Sequence, residues 1–141
     1  MRVLHLSSSD NAGGAAIAAL RIHIALKQKI SNDLFVTNKS SDIAGVKTFD
    51  SDLMKFYSFL KRGIGAKISN IHKSNNDILH SFSCLPSRFE NYINKSSYDL
   101  INLHWVQGEM LSIESIGRIK KPIIWTMHDT WPFCGSEHYP L

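Results

Sequence analysis

The sequence predicts an α/β domain built on a mostly parallel sheet with flanking helices. Three observations carry that prediction. Extended and helical patterns alternate along the chain with short joints; the first joint is a strand, a Gly-containing turn and a helix in succession; and that helix is apolar on two faces. Composition agrees, since 141 residues with 43% hydrophobic, 10% aromatic and 20% charged side chains describe one globular domain and exclude disorder, collagen and coiled coil.

Arg2 to Ser7 reads as a buried strand running into Ser7–Gly14, a loop of small and turn-forming residues, and then an Ala-rich helix from Ala15 to Lys29. At 100° per residue, Ile17, Leu20 and Ile24 lie on one side of that helix and Ala19, Ile22, Leu26 and Ile30 on the other, so both faces are expected to pack. Asp33–Thr37 is a second strand and Val46–Phe49 a weak third. From Asp52, read as the N-cap, a helix extends to Ile64, with Gly63 and Gly65 ending or loosening it before a polar stretch that includes Lys67, His72, Lys73, Asn75 and Asn76. A short strand over Ile78–Phe82, a helix over Pro86–Asn94, a buried strand at Asp99–Leu103, a short helix at Ser112–Ile119 and a last strand at Pro122–Met127 complete the pattern.

Sixteen Lys or Arg against twelve Asp or Glu leave +4, which suits phosphorylated or membrane-surface partners and falls short of a nucleic-acid-binding tail. The charge is uneven. Residues 1–50 carry six basic and four acidic groups (+2), residues 51–75 five and one (+4), and residues 76–141 five and seven (−2). Two distant cysteines, Cys84 and Cys134, suggest neither a disulfide framework nor a paired-cysteine zinc site. The short apolar start is no secretory leader, and no run approaches the roughly 18 residues of a membrane span. The expectation is a reduced cytoplasmic protein.

In an open parallel sheet, ligands bind beyond the carboxyl ends of the strands. The residues there are Ser7–Gly14, His104-Trp105 and His128-Asp129. Gly13-Gly14 either admits a diphosphate to a helix N-terminus or simply makes a tight turn; no dinucleotide or phosphate-loop glycine fingerprint is present. Trp105, Trp125 and Trp131 cluster toward the C-terminus with His104, His128 and His138, a combination suited to the apolar face and hydroxyl rim of a sugar. The spacing of His104, His128, Cys134 and His138 matches no zinc pattern, so no metal is expected, and Cys134 with His138 at i, i+4 is a weak nucleophile pair. The Asp52–Ile64 helix carries two readings. Leu53, Phe56, Tyr57, Leu60 and Ile64 face the core with the cations in water, or Lys55, Lys61 and Arg62 contact a membrane surface or an anionic acceptor.

Three stretches, VLHLSSSDNAGGAAIAALRIHIAL, DLINLHWVQGEMLSIESI and KKPIIWTMHDTWPFCG, together resemble the N-terminal half of bacterial family 4 glycosyltransferases of the colanic-acid and capsular polysaccharide type. The resemblance runs along nearly the whole chain and is least distinctive over residues 50–85. It implies the first of two Rossmann-like domains of a GT-B fold, holding the acceptor. It also implies a nucleotide-diphosphate sugar as co-substrate with no resident cofactor, usually retention of configuration, and no required divalent metal. Gly13 and Gly14 match the loop that approaches the donor diphosphate, and His128 the histidine that contacts the donor sugar, with Asp129 as its polar partner. His104, Trp105 and Trp131 would line the acceptor side. The chain departs from the family where Cys134 replaces a Thr and Glu137 stands in place of a Cys.

The family's second domain carries two glutamates eight positions apart. Here Glu90 meets Tyr98, Glu109 meets Gly117 and Glu114 meets Pro122, so that pair is absent from these 141 residues. The expectation is a chain that needs a donor-binding partner domain for turnover and works on a glycan or lipid-linked acceptor, on the inner face of the membrane. The other class of reading is a non-catalytic module that binds the acceptor or the membrane surface.

Overall fold

The structure, a computed structural model, describes residues 1–71 and 78–139. The order of elements is β1 (Arg2–Ser9), α1 (Gly14–Lys27), β2 (Ser31–Asn38), β3 (Val46–Lys47), α2 (Asp52–Ile71), α3 (Phe89–Lys95), β4 (Leu100–Leu103), α4 (Ile113–Gly117), β5 (Ile123–Trp125) and α5 (Trp131–Cys134). The five strands form one sheet in the order β3-β2-β1-β4-β5, and every pairing is parallel. This is the expected Rossmann-like α/β arrangement. The connection from β1 goes one way to β2 and the later chain returns to the other side as β4, so the reversal point lies at the carboxyl ends of β1 and β4.

Period-two alternation divides the core. On β2, Leu34 and Val36 face α1 and pack with Ala19 and Val46, whereas Phe35 joins Leu4, Leu6, Ile101 and Leu103 beneath α3 and α4. Small residues let α1 approach the sheet closely: Ala16, Ala19 and His23 are its buried positions. The expectation of two packed faces therefore fails on one side, because Ile17 and Ile24 remain about two-fifths exposed. At the far edge of the sheet, β5 leaves Ile123 and Ile124 exposed.

Three further expectations are corrected. Ile78–Phe82 forms no strand of the sheet; it runs against residues 136–138 in the opposite sense, with one bridge between His80 and Glu137. Ser51, one residue before the expected cap, bonds the first turn of α2 through its carbonyl, which accepts from the amides of Met54 and Lys55. Nor does α2 stop at its glycines: it continues to Ile71. Gly65 is buried against the Glu109 loop, and a Cβ there would collide with the Glu109 side chain, so this glycine is a packing requirement rather than a helix stop. The polar positions His72, Lys73, Asn75 and Asn76 lie outside the described residues.

The orientation of α2 overturns the simpler reading of that helix. The side turned to the body carries Lys61 and Gly65, with Lys61 only 6% exposed. The apolar stripe faces outward instead: Leu53 is 75% exposed, and Phe56, Tyr57, Leu60 and Ile64 are exposed with it.

Candidate functional site

The site forms where the carboxyl ends of β1, β4 and β5 meet. β1 and β4 are in register with His5 opposite Asn102 and Leu6 opposite Leu103, so His104 emerges at the level where β1 turns into its loop. Two backbone bonds lock the exit: the His104 amide donates to Leu6 O and the Ser8 amide to Trp105 O.

Three imidazoles form a column here. His5 Nδ1 lies 3.1 Å from His104 Nε2, and His104 Nδ1 lies 3.1 Å from His128 Nε2. The ring centres are 5.3 and 5.4 Å apart with planes inclined by 33 and 24°, so the facing nitrogens lie between the centres and the rings run end to end. His5 and His104 are fully buried, whereas His128 is half-buried at the outer end. Burial pushes the imidazolium of His5 down to about 4, with repulsion from His23 adding to it. Burial likewise pushes His104 down to about 3, assisted by His5 and His128. His128 is also lowered by burial, against an opposing pull from Asp129. The column is neutral near pH 7.

Neutrality gives the column a direction. Each link between two neutral imidazoles holds a single proton, so all three tautomers are set together. Among the described residues His5 Nε2, the inner end, meets no hydrogen-bond partner. A buried N–H without an acceptor is rarer and costlier than a lone pair without a donor, which favours leaving Nε2 of His5 unprotonated. The protons then sit on His5 Nδ1 and His104 Nδ1, and His128 carries its proton on Nδ1. His128 thus offers a ligand a fixed N–H donor rather than a base.

Asp129 occupies a different role from the one its neighbour suggests. Its side chain is 6% exposed and its oxygens are committed. Oδ2 accepts from His138 Nδ1 at 2.5 Å and from Trp105 Nε1 at 3.0 Å, and Oδ1 accepts from the Trp131 amide at 3.2 Å. It fastens three residues behind His128. His138 is 1% exposed and its ring lies 5.5 Å from that of Trp105.

The loop after β1 is held by side chains. Ser9 Oγ accepts from the amides of Asn11 and Ala12, and Asp10 accepts from the amides of Ser40 and Ser41 and the Ser41 hydroxyl. Burial raises the Asp10 carboxyl, but these hydrogen bonds outweigh it and hold the group below its ordinary value. Gly13 takes φ 86°, a left-handed conformation that favours glycine, and serves as the N-cap of α1. No acidic side chain occupies the first turn. The amides of this helix start are therefore presented without a competing carboxylate.

Of the sequence-predicted residues, His128 and the Gly13-Gly14 turn lie at the carboxyl ends of strands as expected, and Trp105 is half-buried beside Asp129. Others do not line a site. Trp131 is 3% exposed, donates from Nε1 to Ser81 O and packs near Trp125, so it is core rather than a sugar platform. His104 is 1% exposed, and its two ring nitrogens face His5 and His128 rather than open space. Lys61 is buried under α2, where desolvation lowers its pKa against the pull of Glu109 and Glu90, so it cannot reach a membrane or acceptor. Lys55 and Arg62 do share a surface, an open groove of about 510 Å³ with Lys39, Ser40, Ser41 and Thr48. Among the described residues no three His, Cys, Asp or Glu side chains are grouped to hold a metal ion.

Sequence reading missed His5 and Asp10. The available signal for His5 was a histidine at an inward position of an otherwise apolar strand. For Asp10 it was an acid directly after that strand, though neither showed its partner. Comparison of the chain with known protein families, curated proteins and solved structures finds no match.

Proposed function

We propose that this chain is the acceptor-side domain of a glycosyltransferase that moves a sugar from a nucleotide-diphosphate donor to a glycan or lipid-linked acceptor. The observation that carries the reading is the directed histidine column, ending in the N–H of His128 at the same end of the sheet as the free amides of α1. A neutral donor set at the same sheet end as a helix start suits a sugar hydroxyl and a diphosphate of one donor, and it suits proton abstraction poorly. His128 would orient the donor sugar, Gly13 and Gly14 would let the backbone approach the diphosphate, and His104 and His5 would hold the His128 tautomer. Asp129 is a positioning residue in this scheme. The wall that grips the nucleotide would come from a further domain bearing the glutamate pair, with no resident cofactor or metal in this one.

Transfer from radiolabelled nucleotide sugars to membrane extracts tests this, using the chain alone, the chain with a family donor-binding half, and that pair with His128→Ala. The expected pattern is no turnover by the chain alone, turnover by the pair, and a loss of about a hundredfold in the variant, as for removal of one preorganised donor. Turnover by the chain alone, or an undiminished rate with His128→Ala, would overturn the assignment. The second reading, a binding module without chemistry, is favoured by the outward apolar face of α2 and predicts an inactive pair.

A further inference from the structure

α2 packs inside out. Its twenty residues span about 30 Å at 1.5 Å per residue, with Lys61 and Gly65 turned to the body. At about 100° per residue, the line along the helix opposite those two positions runs through Asp52, Phe56, Gly63 and Lys67, with Leu53, Phe59 and Leu60 beside it. All seven are exposed, Leu53 at 75%, Phe59 at 63% and Phe56 at 58%. Large apolar side chains in one contiguous row mark a surface that is covered in use.

Two features of the row identify what covers it. The first is charge: one acid, Asp52, stands at its start and one base, Lys67, about 22 Å farther along the axis. Asp52 meets Lys55 of its own helix through Oδ1, but its side chain is 95% exposed and Oδ2 stays open. The row as a whole is neutral with opposite ends, so a copy of itself running the other way complements it. The second feature is Gly63. A glycine inside a helix is disfavoured unless a neighbour needs the space. A Cβ at Gly65 would strike Glu109, whereas a Cβ at Gly63 would meet nothing within the body. Gly63 is a notch in the apolar row that the rest of the fold does not explain.

We propose that this protein forms a two-fold dimer through α2, the two helices antiparallel and crossing between Phe59 and Leu60. In such an isologous contact, positions equally far from the crossing point on either side face each other. Asp52 then stands opposite Lys67 of the partner subunit, and Phe56 lies over the notch at Gly63 of the partner subunit, each contact occurring twice. A parallel pair would set Asp52 against Asp52 and Lys67 against Lys67. Lys55 and Arg62 stay to one side, where they line the groove shared with Lys39 and Thr48. At roughly 100 Å² for each half-exposed large side chain, the row with Ile64 and the two charged ends offers about 600 Å² per copy and about 1,200 Å² in all, the lower bound of stable specific interfaces. Association in the micromolar range follows. The inference stands apart from sugar transfer, since it uses neither the histidine column nor the Gly13-Gly14 turn.

Sedimentation equilibrium of the full chain between about 1 and about 100 μM tests it. The parent should pass from monomer to twice the monomer mass over that range. Phe56→Gln with Leu60→Gln should stay monomeric throughout with an unchanged circular dichroism spectrum, since both side chains are exposed. Gly63→Leu should weaken association by filling the notch, without lowering the melting midpoint. Asp52→Lys alone and Lys67→Asp alone should each weaken it about tenfold, and the two combined should restore it, because the swap re-forms both ion pairs only when the helices run antiparallel. A parent that stays monomeric, undiminished association of Phe56→Gln/Leu60→Gln, or a combined charge swap no better than either single variant overturns the proposal. A monomeric parent that sediments with phosphatidylglycerol vesicles would assign the face to lipid and overturn it equally.

Discussion

Lowering the pH from 7 to 5 should cost this fold about 4 kcal/mol, and the histidine column should be the cause. In the unfolded chain His5 and His104 titrate near 6.5, whereas in the fold burial holds them at about 4 and about 3. The unfolded chain therefore binds more protons across this interval, and stability rises with pH there. The contribution is present above pH 6.5 and is lost as the pH falls toward the folded values. At pH 5 both folded imidazoles are still mainly neutral while both unfolded ones are mainly charged, which amounts to about 2 kcal/mol each by linkage. His128, also lowered, adds in the same direction. Asp10 and Asp33, whose carboxyls are held below their ordinary values, lose their contributions at lower pH and leave this window clear. Urea unfolding at pH 7 and pH 5 reads the difference as a midpoint drop of about 2 M for a slope near 2 kcal/mol/M. His5→Gln and His104→Gln should each remove about half of the drop, whatever they do to absolute stability. A midpoint that stays level between pH 5 and 7, or a drop that survives in the double variant, would refute the reasoning.

The column's direction is open to direct measurement, since long-range proton–nitrogen NMR on the chain should place the His128 proton on Nδ1, and His104→Phe should release it to either nitrogen. Gly65→Ala should destabilise the protein by about 1 to 3 kcal/mol in denaturant titration, because the new methyl meets Glu109 and α2 must shift. Lys61→Met should lower stability by about 3 kcal/mol in denaturant titration, since it leaves the buried Glu109 and Glu90 without their neighbouring cation. Asp10→Asn should cost about 1 to 3 kcal/mol, because the amide cannot accept from the Ser40 and Ser41 amides and the Ser41 hydroxyl as the carboxylate does.

Much of the architecture was legible along the chain because its signals are local. Alternating Leu34, Phe35 and Val36, the apolar run before Ser7 and the run ending at Leu103 each specify a buried strand, and the short joints between strands and helices force parallel pairing. The same rules place His128 and Gly13-Gly14 at strand ends without any knowledge of contacts. Where local signals compete, the reading failed: Gly63 and Gly65 resemble a helix stop until the Glu109 loop supplies the reason for Gly65.

What the sequence alone determined, then, is the parallel α/β class and which loops gather at the carboxyl ends of the strands, since both follow from periodicity and connection length. Tertiary structure decided what each polar residue does there. His5 and His104 lie 99 positions apart in sequence, and their link exists only because β1 and β4 pair in one register. The wheel of α2 likewise shows an apolar stripe and leaves its direction open. Packing turned Lys61 and Gly65 inward because Gly65 permits the close approach to Glu109, and so left Leu53, Phe56 and Leu60 outside. A helix pattern reports which residues share a face; only the shape of the surface it meets selects the face that is buried.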